Sequence, residues 1–142
     1  MWTSCVAFEL NALRLGDYAA PLVIRLHGID APEMKQTCRW PNKVIRCGVL
    51  ARDAMLDLIA GAQVRCEKKD TDRYGRIVAT CSADGHDIGA NMVHTGWALA
   101  YRRYSKLYVA IEEKAKAAKR GMWRGEFVPP WEWRRGKRLR GG

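Results

Sequence analysis

The sequence contains no Cys-x-x-Cys pair and no apolar run long enough to cross a bilayer. Because structural zinc sites commonly use such pairs, and because the three histidines lie apart from the cysteines, a zinc finger is disfavoured. A membrane-spanning helix needs about 20 apolar residues, so we expect no membrane span. Internal repeats and low-complexity linkers are also missing. What remains is one domain's length, 142 residues, which suffices to bury a core.

Acidic residues are scarce: 15 Asp and Glu stand against 25 Lys and Arg, giving a net charge of +10. This excess favours a polyanionic partner, nucleic acid first and an anionic membrane surface second. The C-terminal residues are especially basic, with Arg134, Arg135, Lys137, Arg138 and Arg140. We therefore predict a folded domain at residues 1–133 and a basic tail at residues 134–142, which is either a nucleic-acid-binding arm or a solvated end.

A tight turn relates two of the five cysteines. The segment Asp72-Arg-Tyr-Gly75 is typical of a turn between two strands. If Asp72 pairs with Gly75, then Cys66 lies directly opposite Cys81, and facing residues of a non-hydrogen-bonded pair come close enough for a disulfide. A bulge at Gly75 would shift this register by one residue, so the predicted bridge depends on the form of the turn.

The remaining cysteines bear on the compartment. Cys38 and Cys47 bracket a loop and are candidates for a second disulfide, which leaves Cys5 over. Two disulfides indicate a secreted or periplasmic protein, whereas five reduced thiols would indicate the cytosol. Met1–Leu10 has neither the basic start nor the sustained apolar stretch of a signal peptide, so we expect no signal peptide in this chain.

Alternating and helical apolar patterns predict an α+β protein. The predicted strands are Val6–Leu15, Pro21–Ile29, Gln63–Thr71, Arg76–Ser82 and Trp97–Tyr101. The predicted helices are Gly48–Ala60, a short helix capped by Asp87 and stopped by Gly96, and a helix from Ser105 to Arg120. The polar segment Glu33–Arg46 is predicted to be loop. Five short strands with helices inserted late favour a small five-stranded barrel, the oligonucleotide-binding (OB) fold, which suits the charge.

Two charged segments carry the strongest chemical signal. The first, Arg25-Leu-His-Gly-Ile-Asp-Ala-Pro-Glu33, supplies an arginine from a strand and then two carboxylates, at the point where Pro32 ends the strand. The second, Asp72-Arg-Tyr-Gly-Arg76, places an arginine just after a tight turn. Taken singly, the first is consistent with a surface ion network and the second with a charged hairpin.

Together, these segments resemble the two signature blocks of the staphylococcal nuclease (thermonuclease) family. That family has an arginine followed by Asp-x-Pro-Glu, and further along the chain Asp-x-Tyr-Gly-Arg. The similarity continues through Trp97-Ala98, Ala115-Lys116 and Gly121-Met-Trp123, so it covers approximately residues 21–133. The resemblance implies an OB barrel with about three helices packed on it. It also implies a calcium-dependent endonuclease, a hydrolase of the phosphodiester bonds of DNA and RNA.

The resemblance assigns a role to each matching residue. Arg25, Glu33 and Arg76 match the catalytic residues. Two fixed guanidinium groups would stabilise the charge that builds on phosphate oxygens, and the glutamate would act as general base or orient the attacking water. Asp30 matches a calcium ligand, and Ala31 matches a residue that contributes only its backbone carbonyl.

Tyr74 and Tyr101 are expected to bind the substrate. Tyr74 matches a tyrosine of the family's nucleotide pocket, and Tyr101 lies in the matching downstream region. Bases of any kind stack on aromatic faces, and a channel lined by Lys and Arg follows the backbone without reading sequence. We therefore expect DNA and RNA as substrates, preferably single-stranded, and a monomeric enzyme.

The first strand departs from the family pattern. The family carries Asp-Gly-Asp-Thr there, and its second aspartate binds the metal, whereas the matching stretch here is Glu9-Leu-Asn11-Ala12. A hairpin centred on Tyr18 supports this alignment, because it places Asn11 opposite Arg25. Asn11 offers a neutral carbonyl oxygen, so we predict a calcium site that is present but weak. The alternative function is a non-catalytic module that binds single-stranded nucleic acid through an OB fold with a degenerate metal site.

Overall fold

The structure, a computed structural model, describes residues 5–9, 12–15 and 22–140, with side chains from Ile24 onward. The described strands are β1 (Cys5–Glu9), β2 (Ala12–Leu15), β3 (Leu22–Leu26), β4 (Ile29–Asp30), β5 (Cys38–Trp40), β6 (Lys43–Ile45), β7 (Val64–Thr71), β8 (Ile77–Ala83), β9 (His86–Asp87) and β10 (Leu99–Ala100). The described helices are α1 (Cys47–Ile59), α2 (Ile88–His94), α3 (Val109–Ala117) and α4 (Pro130–Trp133), with a 3-10 helix at Gly121–Arg124. The predicted α+β class is confirmed.

The largest sheet has the strand order β1-β2-β3-β8-β7, and β9 pairs with β8. Strands β3 and β8 run parallel, and the crossover that parallel neighbours require is the segment containing α1 and β7. The other described pairings in this sheet are antiparallel. Two small sheets, β4–β10 and β5–β6, lie outside this path.

The N-terminal register differs from the predicted one. The predicted strand Val6–Leu15 is two strands, β1 and β2, and β2 pairs with β3 so that Ala12 lies opposite Arg25. Placing Asn11 opposite Arg25 was therefore wrong by one residue, because that prediction assumed a symmetric turn. Asn11 itself and the turn at Gly16–Ala20 lie outside the described residues.

The hairpin β7–β8 brings Cys66 opposite Cys81, and the two form a disulfide with their Cα atoms 4.1 Å apart. The predicted bridge is confirmed, although the turn is longer than predicted. The amide of Asp72 donates to the carbonyl of Arg76 at 2.9 Å, which adds one residue to the turn. A bulge at Lys69 in β7, between the turn and Cys66, adds one residue to β7 and restores the predicted register at the cysteines.

The prediction that Glu33–Arg46 is all loop was wrong for its second half, where hairpin β5–β6 lies. Strands of three residues are too short to produce a recognisable alternation. The hairpin is held from outside: Cys38 forms the second predicted disulfide with Cys47, confirming it, with Cα atoms 5.7 Å apart. Arg39 and Glu126 also exchange two backbone hydrogen bonds of 2.8 and 2.7 Å.

Two of the predicted helices are confirmed within a residue or two. Helix α1 ends at Ile59, and Gly61 follows with a positive φ of 68°, which favours glycine at a helix end. Helix α2 begins after Asp87, whose Oδ1 accepts a 3.0 Å hydrogen bond from the amide of Ala90. This is the predicted N-cap.

The predicted helix Ser105–Arg120 was too long at both ends. Ser105 Oγ accepts from the amide of Leu107 at 3.1 Å, so the serine closes a local turn instead of capping the helix. The helix starts at Val109. It ends at Ala117, because Lys119 adopts a left-handed φ of 53° and breaks the helical path before Gly121.

Two apolar clusters form the core of the described chain. The larger joins the sheet to α1 and α2 through buried residues that include Ile24, Ala79, Met55 and Met92. Each fully buried large side chain of this kind stabilises the fold by about 1.5–3 kcal/mol. The smaller cluster surrounds the Cys38–Cys47 disulfide. Among the described residues, no helix has the length and apolar character that spanning a membrane requires.

Candidate active site

Asp30 and Glu33 converge on one cation, the guanidinium of Arg134. Nη1 of Arg134 donates to Oδ1 of Asp30 at 3.0 Å and to Oε1 of Glu33 at 2.8 Å. Nη2 donates to Oδ2 of Asp30 at 2.5 Å. The Asp30 side chain is fully buried, whereas that of Glu33 is 32% exposed. The two carboxylates therefore share a cation position that opens to solvent on the side of Glu33.

Backbone pairing places the first carboxylate. Asp30 ends β4 and lies opposite Leu99 of β10, and Tyr101 extends this pairing by donating its amide to the carbonyl of Gly28 at 2.8 Å. Pro32 then lacks the amide that another ladder hydrogen bond would need. The chain therefore leaves the sheet at the carboxylates, as the sequence predicted.

A buried glutamine fixes the loop that carries Glu33. The amide of Gln36 donates to the carbonyl of Glu33 at 2.8 Å, and its side-chain Oε1 accepts from the amide of Glu33 at 3.3 Å. Gln36 Nε2 donates to the carbonyl of Val128 at 2.7 Å, which ties the loop to the segment before α4. The loop also packs against α1, where a Cβ on Gly48 would lie 1.8 Å from the carbonyl oxygen of Glu33. Only glycine fits at that position.

Burial and charge act in opposite directions on the Asp30–Arg134 pair. Burial raises the pKa of Asp30 and outweighs the hydrogen bonds and charge of Arg134 and the charge of Arg25, which lower it. For Arg134, burial lowers the pKa, but the hydrogen bonds and charges of Asp30 and Glu33 prevail and raise it. Arg25 is thus near enough to act electrostatically on the buried carboxylate.

The register between β3 and β8 relates the two arginines. Arg25 lies opposite Val78, and Arg76 immediately precedes β8, two residues before Val78. Facing residues project to the same side of a sheet, and so do residues two apart on one strand. Arg25 and Arg76 therefore lie on one face, as diagonal neighbours on adjacent strands. Arg25 is half-buried, as is Arg76.

The turn before β8 orients Arg76. Its Nε donates to Oδ2 of Asp72 at 2.7 Å, while Oδ1 of Asp72 accepts from the amides of Tyr74 and Arg76, both at 2.9 Å. The Tyr74 ring is 70% exposed and lies close to two guanidinium groups, with its centroid 5.1 Å from that of Arg73 and 5.3 Å from that of Arg76. The two residues predicted to bind phosphate and base are thus adjacent.

Tyr101 is already covered by another ring. Its ring stacks on Trp131 of α4, with centroids 5.2 Å apart and planes 8° from parallel, and meets Tyr104 edge-on at 5.0 Å. Trp131 also lines a cleft of about 710 Å³ with Trp123 and Phe127. One face of the Tyr101 ring is therefore already occupied by Trp131.

The carboxylates fit a hard cation in donor type and direction. Ca²⁺ prefers carboxylate and carbonyl oxygens, which Asp30, Glu33 and the backbone of Ala31 supply. The guanidinium of Arg134 is a stand-in that marks where positive charge is stabilised. Within residues 5–9, 12–15 and 22–140, no three His, Cys, Asp or Glu side chains form a metal cluster. Asn11, the predicted weak ligand, lies outside those residues.

Several site residues escaped the sequence analysis. Arg134 was assigned to the basic tail, and its partners lie 104 and 101 residues away in the sequence, so no local pattern marks it. Gln36 and Gly48 act through backbone contacts that depend on the fold. Asp72 had a readable signal, because aspartate at the start of a turn commonly accepts from amides two residues on.

Comparison with known sequences decides the family. A profile described as staphylococcal nuclease homologue matches residues 23–125, a range that includes Arg25, Asp30, Glu33 and Arg76. The chain belongs to the staphylococcal nuclease family. The resemblance stated from the two signature blocks is thereby confirmed.

Named relatives of this staphylococcal nuclease homologue come from plants and bacteria. The probable staphylococcal-like nuclease CAN3 of Oryza sativa subsp. japonica is 36% identical over 118 residues, covering 81% of this chain but 29% of the rice protein. An uncharacterized endonuclease of Escherichia coli is 38% identical over 132 residues, covering 89% of this chain and 80% of its own length. Protein ParB of Escherichia coli is 33% identical over 129 residues, covering 81% and 68%. The chain thus spans under a third of the rice relative but most of the bacterial endonuclease.

Proposed function

We propose that this protein is a calcium-dependent endonuclease that hydrolyses phosphodiester bonds in DNA and RNA with broad specificity. The observation that carries the proposal is the convergence of Asp30 and Glu33 on one cation position, within electrostatic reach of Arg25. Simple binding of nucleic acid needs basic and aromatic groups, and it does not need two carboxylates beside the phosphate. Two carboxylates that can share one divalent cation are compatible with metal-assisted hydrolysis.

Arg25 and Arg76 stabilise the transition state in this proposal. Both lie on one face of the β3–β8 pair, so their guanidinium groups grip the non-bridging oxygens of the same phosphate. Negative charge grows on those oxygens as water attacks, and guanidinium groups already held in place stabilise it without reorganising. Asp72 holds Arg76 in position for this contact.

Glu33 activates or orients the water. It is the more exposed of the two carboxylates. Contacts with Gln36 and Gly48 fix its backbone, so the side chain reaches solvent from a rigid backbone position. Asp30, with the backbone carbonyl of Ala31, holds the cation, and Asn11 contributes a weak ligand. When bound, Ca²⁺ supplies charge neutralisation at the phosphate and a position for the water.

Tyr74 and Tyr101 contribute to nucleotide binding in this proposal. The exposed ring of Tyr74 beside Arg76 offers a stacking face, and single-stranded substrates are preferred because their bases are free to stack. The net charge of +10 attracts the backbone without regard to sequence. The enzyme acts as a monomer in this proposal; sedimentation showing a stable dimer at assay concentration would contradict that part.

We also propose that the large sheet closes into an OB barrel and that the protein works outside the cytoplasm. Two disulfides, Cys38–Cys47 and Cys66–Cys81, are compatible with the periplasm or the extracellular space. A crystal structure with an open sheet would contradict the barrel. Recovery of the native protein from cells with four reduced cysteines would contradict the compartment.

A non-catalytic module that binds single-stranded nucleic acid is the second candidate, and one observation favours it. Arg134 occupies the cation position, and the described residues supply two carboxylates there instead of a larger cluster. Such a site would still bind phosphates through Arg25 and Arg76.

One experiment separates the two functions. The protein is incubated with a labelled single-stranded DNA at increasing Ca²⁺ and with chelator, alongside Asn11→Asp, which restores the aspartate that the family carries at the matching position. We expect cleavage only with Ca²⁺, and half-maximal cleavage at lower Ca²⁺ for Asn11→Asp. Absence of cleavage in both proteins at every Ca²⁺ concentration would favour the binding module. Full activity in chelator would remove calcium from the proposal.

A further inference from the structure

The cation position between Asp30 and Glu33 is filled by the chain itself. Arg134 places Nη1 between the two carboxylates and Nη2 on the second oxygen of Asp30. A guanidinium that meets a buried carboxylate with two parallel hydrogen bonds forms one of the stronger ion pairs in proteins. The fixed charge of Arg134 therefore balances Asp30 where no solvent reaches that carboxylate.

We propose that Arg134 competes with the divalent cation for this position, so that Ca²⁺ binds only when the Arg134 side chain has left it. The inference rests on the proposed function, since it concerns the same site. Both cations need the same carboxylate oxygens of Asp30 and Glu33, and a guanidinium and Ca²⁺ held by the same carboxylates would repel one another at short range. The apparent affinity for Ca²⁺ is then lowered by the stability of the Arg134 contacts.

The route of release is a side-chain rotation. The backbone of α4 is anchored by Trp131 stacked on Tyr101, by buried Pro130 and by the hydrogen bond from Gln36 to the carbonyl of Val128. The side chain of Arg134 is 33% exposed, so its flexible stem can carry the guanidinium outward while α4 stays in place. Access of Ca²⁺ to the carboxylates is therefore controlled by the rotation of one side chain on an anchored helix.

The test is direct titration of the full chain with Ca²⁺ by calorimetry, without substrate. Arg134→Ala removes the competitor, and Arg134→Gln removes its charge while keeping a donor. Arg135→Ala is the matched control, because it removes the same charge from the next residue, which lines the neighbouring cleft. We expect both Arg134 variants to bind Ca²⁺ about tenfold more tightly or better, since hydrogen bonds to charged groups are lost from the competing state. Arg135→Ala should bind like wild type.

Thermal unfolding gives a second readout. Loss of Arg134 removes an ion pair of the buried Asp30, so the variants should unfold at lower temperature without Ca²⁺ and regain more stability than wild type when Ca²⁺ is added. Circular dichroism confirms that each variant is folded before titration.

Each result has a distinct meaning. Equal or weaker Ca²⁺ binding by the Arg134 variants, with wild type binding and cleaving, overturns the competition and leaves the proposed function standing. Binding by the variants alone supports the competition. No Ca²⁺ binding by any variant, together with no cleavage, overturns both. A gain in Arg135→Ala equal to that in Arg134→Ala shows that overall charge is the cause and overturns the competition.

Discussion

Arg76 Nε and Asp72 Oδ2 are joined by a 2.7 Å hydrogen bond across the turn that leads into β8. The other oxygen of Asp72 accepts from two backbone amides of the same turn, so one carboxylate fixes both the turn and the guanidinium. A guanidinium fixed before the reaction stabilises the transition state better than a mobile one. Asp72 is therefore expected to position Arg76 without touching the substrate.

Asp72→Asn should lower kcat about tenfold and leave KM for single-stranded DNA nearly unchanged, because Arg76 keeps its charge but loses its orientation. Steady-state cleavage of a fluorescent oligonucleotide measures both constants. Asp70→Asn is the control: it lies in the same hairpin, but Asp70 Oδ1 accepts from the neighbouring amide of Thr71. An equal loss of kcat in the two variants would show that the hairpin as a whole is responsible.

The pH dependence of stability should report on the same carboxyl. Loss of hydration alone would raise the pKa of Asp72, but hydrogen bonds from Arg76 and Tyr74 and the charge of Arg76 lower it below the ordinary 3.8. A group with a lowered folded-state pKa stabilises the fold above its unfolded-state pKa, and this stabilisation is lost as pH falls through the folded-state pKa. Urea unfolding below about pH 4 should therefore show that the free energy of unfolding decreases less steeply with falling pH for Asp72→Asn than for wild type. Parallel curves would contradict this.

Glu33→Gln should reduce the cleavage rate by about two orders of magnitude or more, because the shape remains and the base is lost. DNA binding, measured by fluorescence anisotropy, should remain close to wild type. Glu113→Gln is a suitable control, since it likewise removes one exposed carboxylate, and the described ion pair of Glu113 is with Arg102. Wild-type cleavage by Glu33→Gln would refute the catalytic assignment.

Binding of single-stranded DNA should weaken steeply with salt and depend little on sequence, because Lys and Arg contacts release counterions from phosphates. Anisotropy titrations with two unrelated oligonucleotides at several salt concentrations test both points. A chain shortened after Gly136 keeps Arg134 and loses three basic residues. If the tail binds DNA, the logarithm of the binding constant of this shorter chain should fall less steeply with the logarithm of the salt concentration. A salt-independent affinity would count against the electrostatic interface.

Removing either disulfide should destabilise the protein, because each restricts the unfolded chain. The chain-entropy model gives about 3 kcal/mol for the separation of 15 residues between Cys66 and Cys81, and slightly less for the separation of nine between Cys38 and Cys47. Paired Cys→Ala variants in urea unfolding measure the two effects separately. Non-reduced peptide mapping should recover both linked pairs; free thiols at Cys66 and Cys81 in protein made under oxidising conditions would refute that bridge.

Local sequence signals predicted the elements whose causes are local. The Asp87 cap, the end of α1 near Gly61 and the turn before β8 were all read from neighbouring residues. The Cys66–Cys81 pairing was predicted correctly although the turn was one residue longer, because the bulge at Lys69 compensates. The sequence alone reveals neither the extra residue of the turn nor the bulge that compensates for it.

Long-range contacts account for what was missed. Hairpin β5–β6 depends on a disulfide and on backbone bonds to Glu126, and the start of α3 depends on Tyr108, whose hydroxyl donates to Asp87 at 2.9 Å. The carboxylates of the site were identified from the motif, but their partner Arg134 comes from the far end of the described chain. A sequence motif identifies its own residues, but it does not show which distant residues the fold places in contact with them.

Gly48 shows how the effect of a substitution in this protein can be misinterpreted. The residue offers no functional group and lies in the first turn of α1, yet any larger side chain there would strike the backbone of Glu33 and Met34. Its substitution would push the glutamate out of place, with an activity loss that resembles a direct catalytic defect. A position where every substitution abolishes activity is thus not necessarily a catalytic residue. A neighbouring residue without a reactive group tolerates no larger side chain when the catalytic residue occupies the adjacent space.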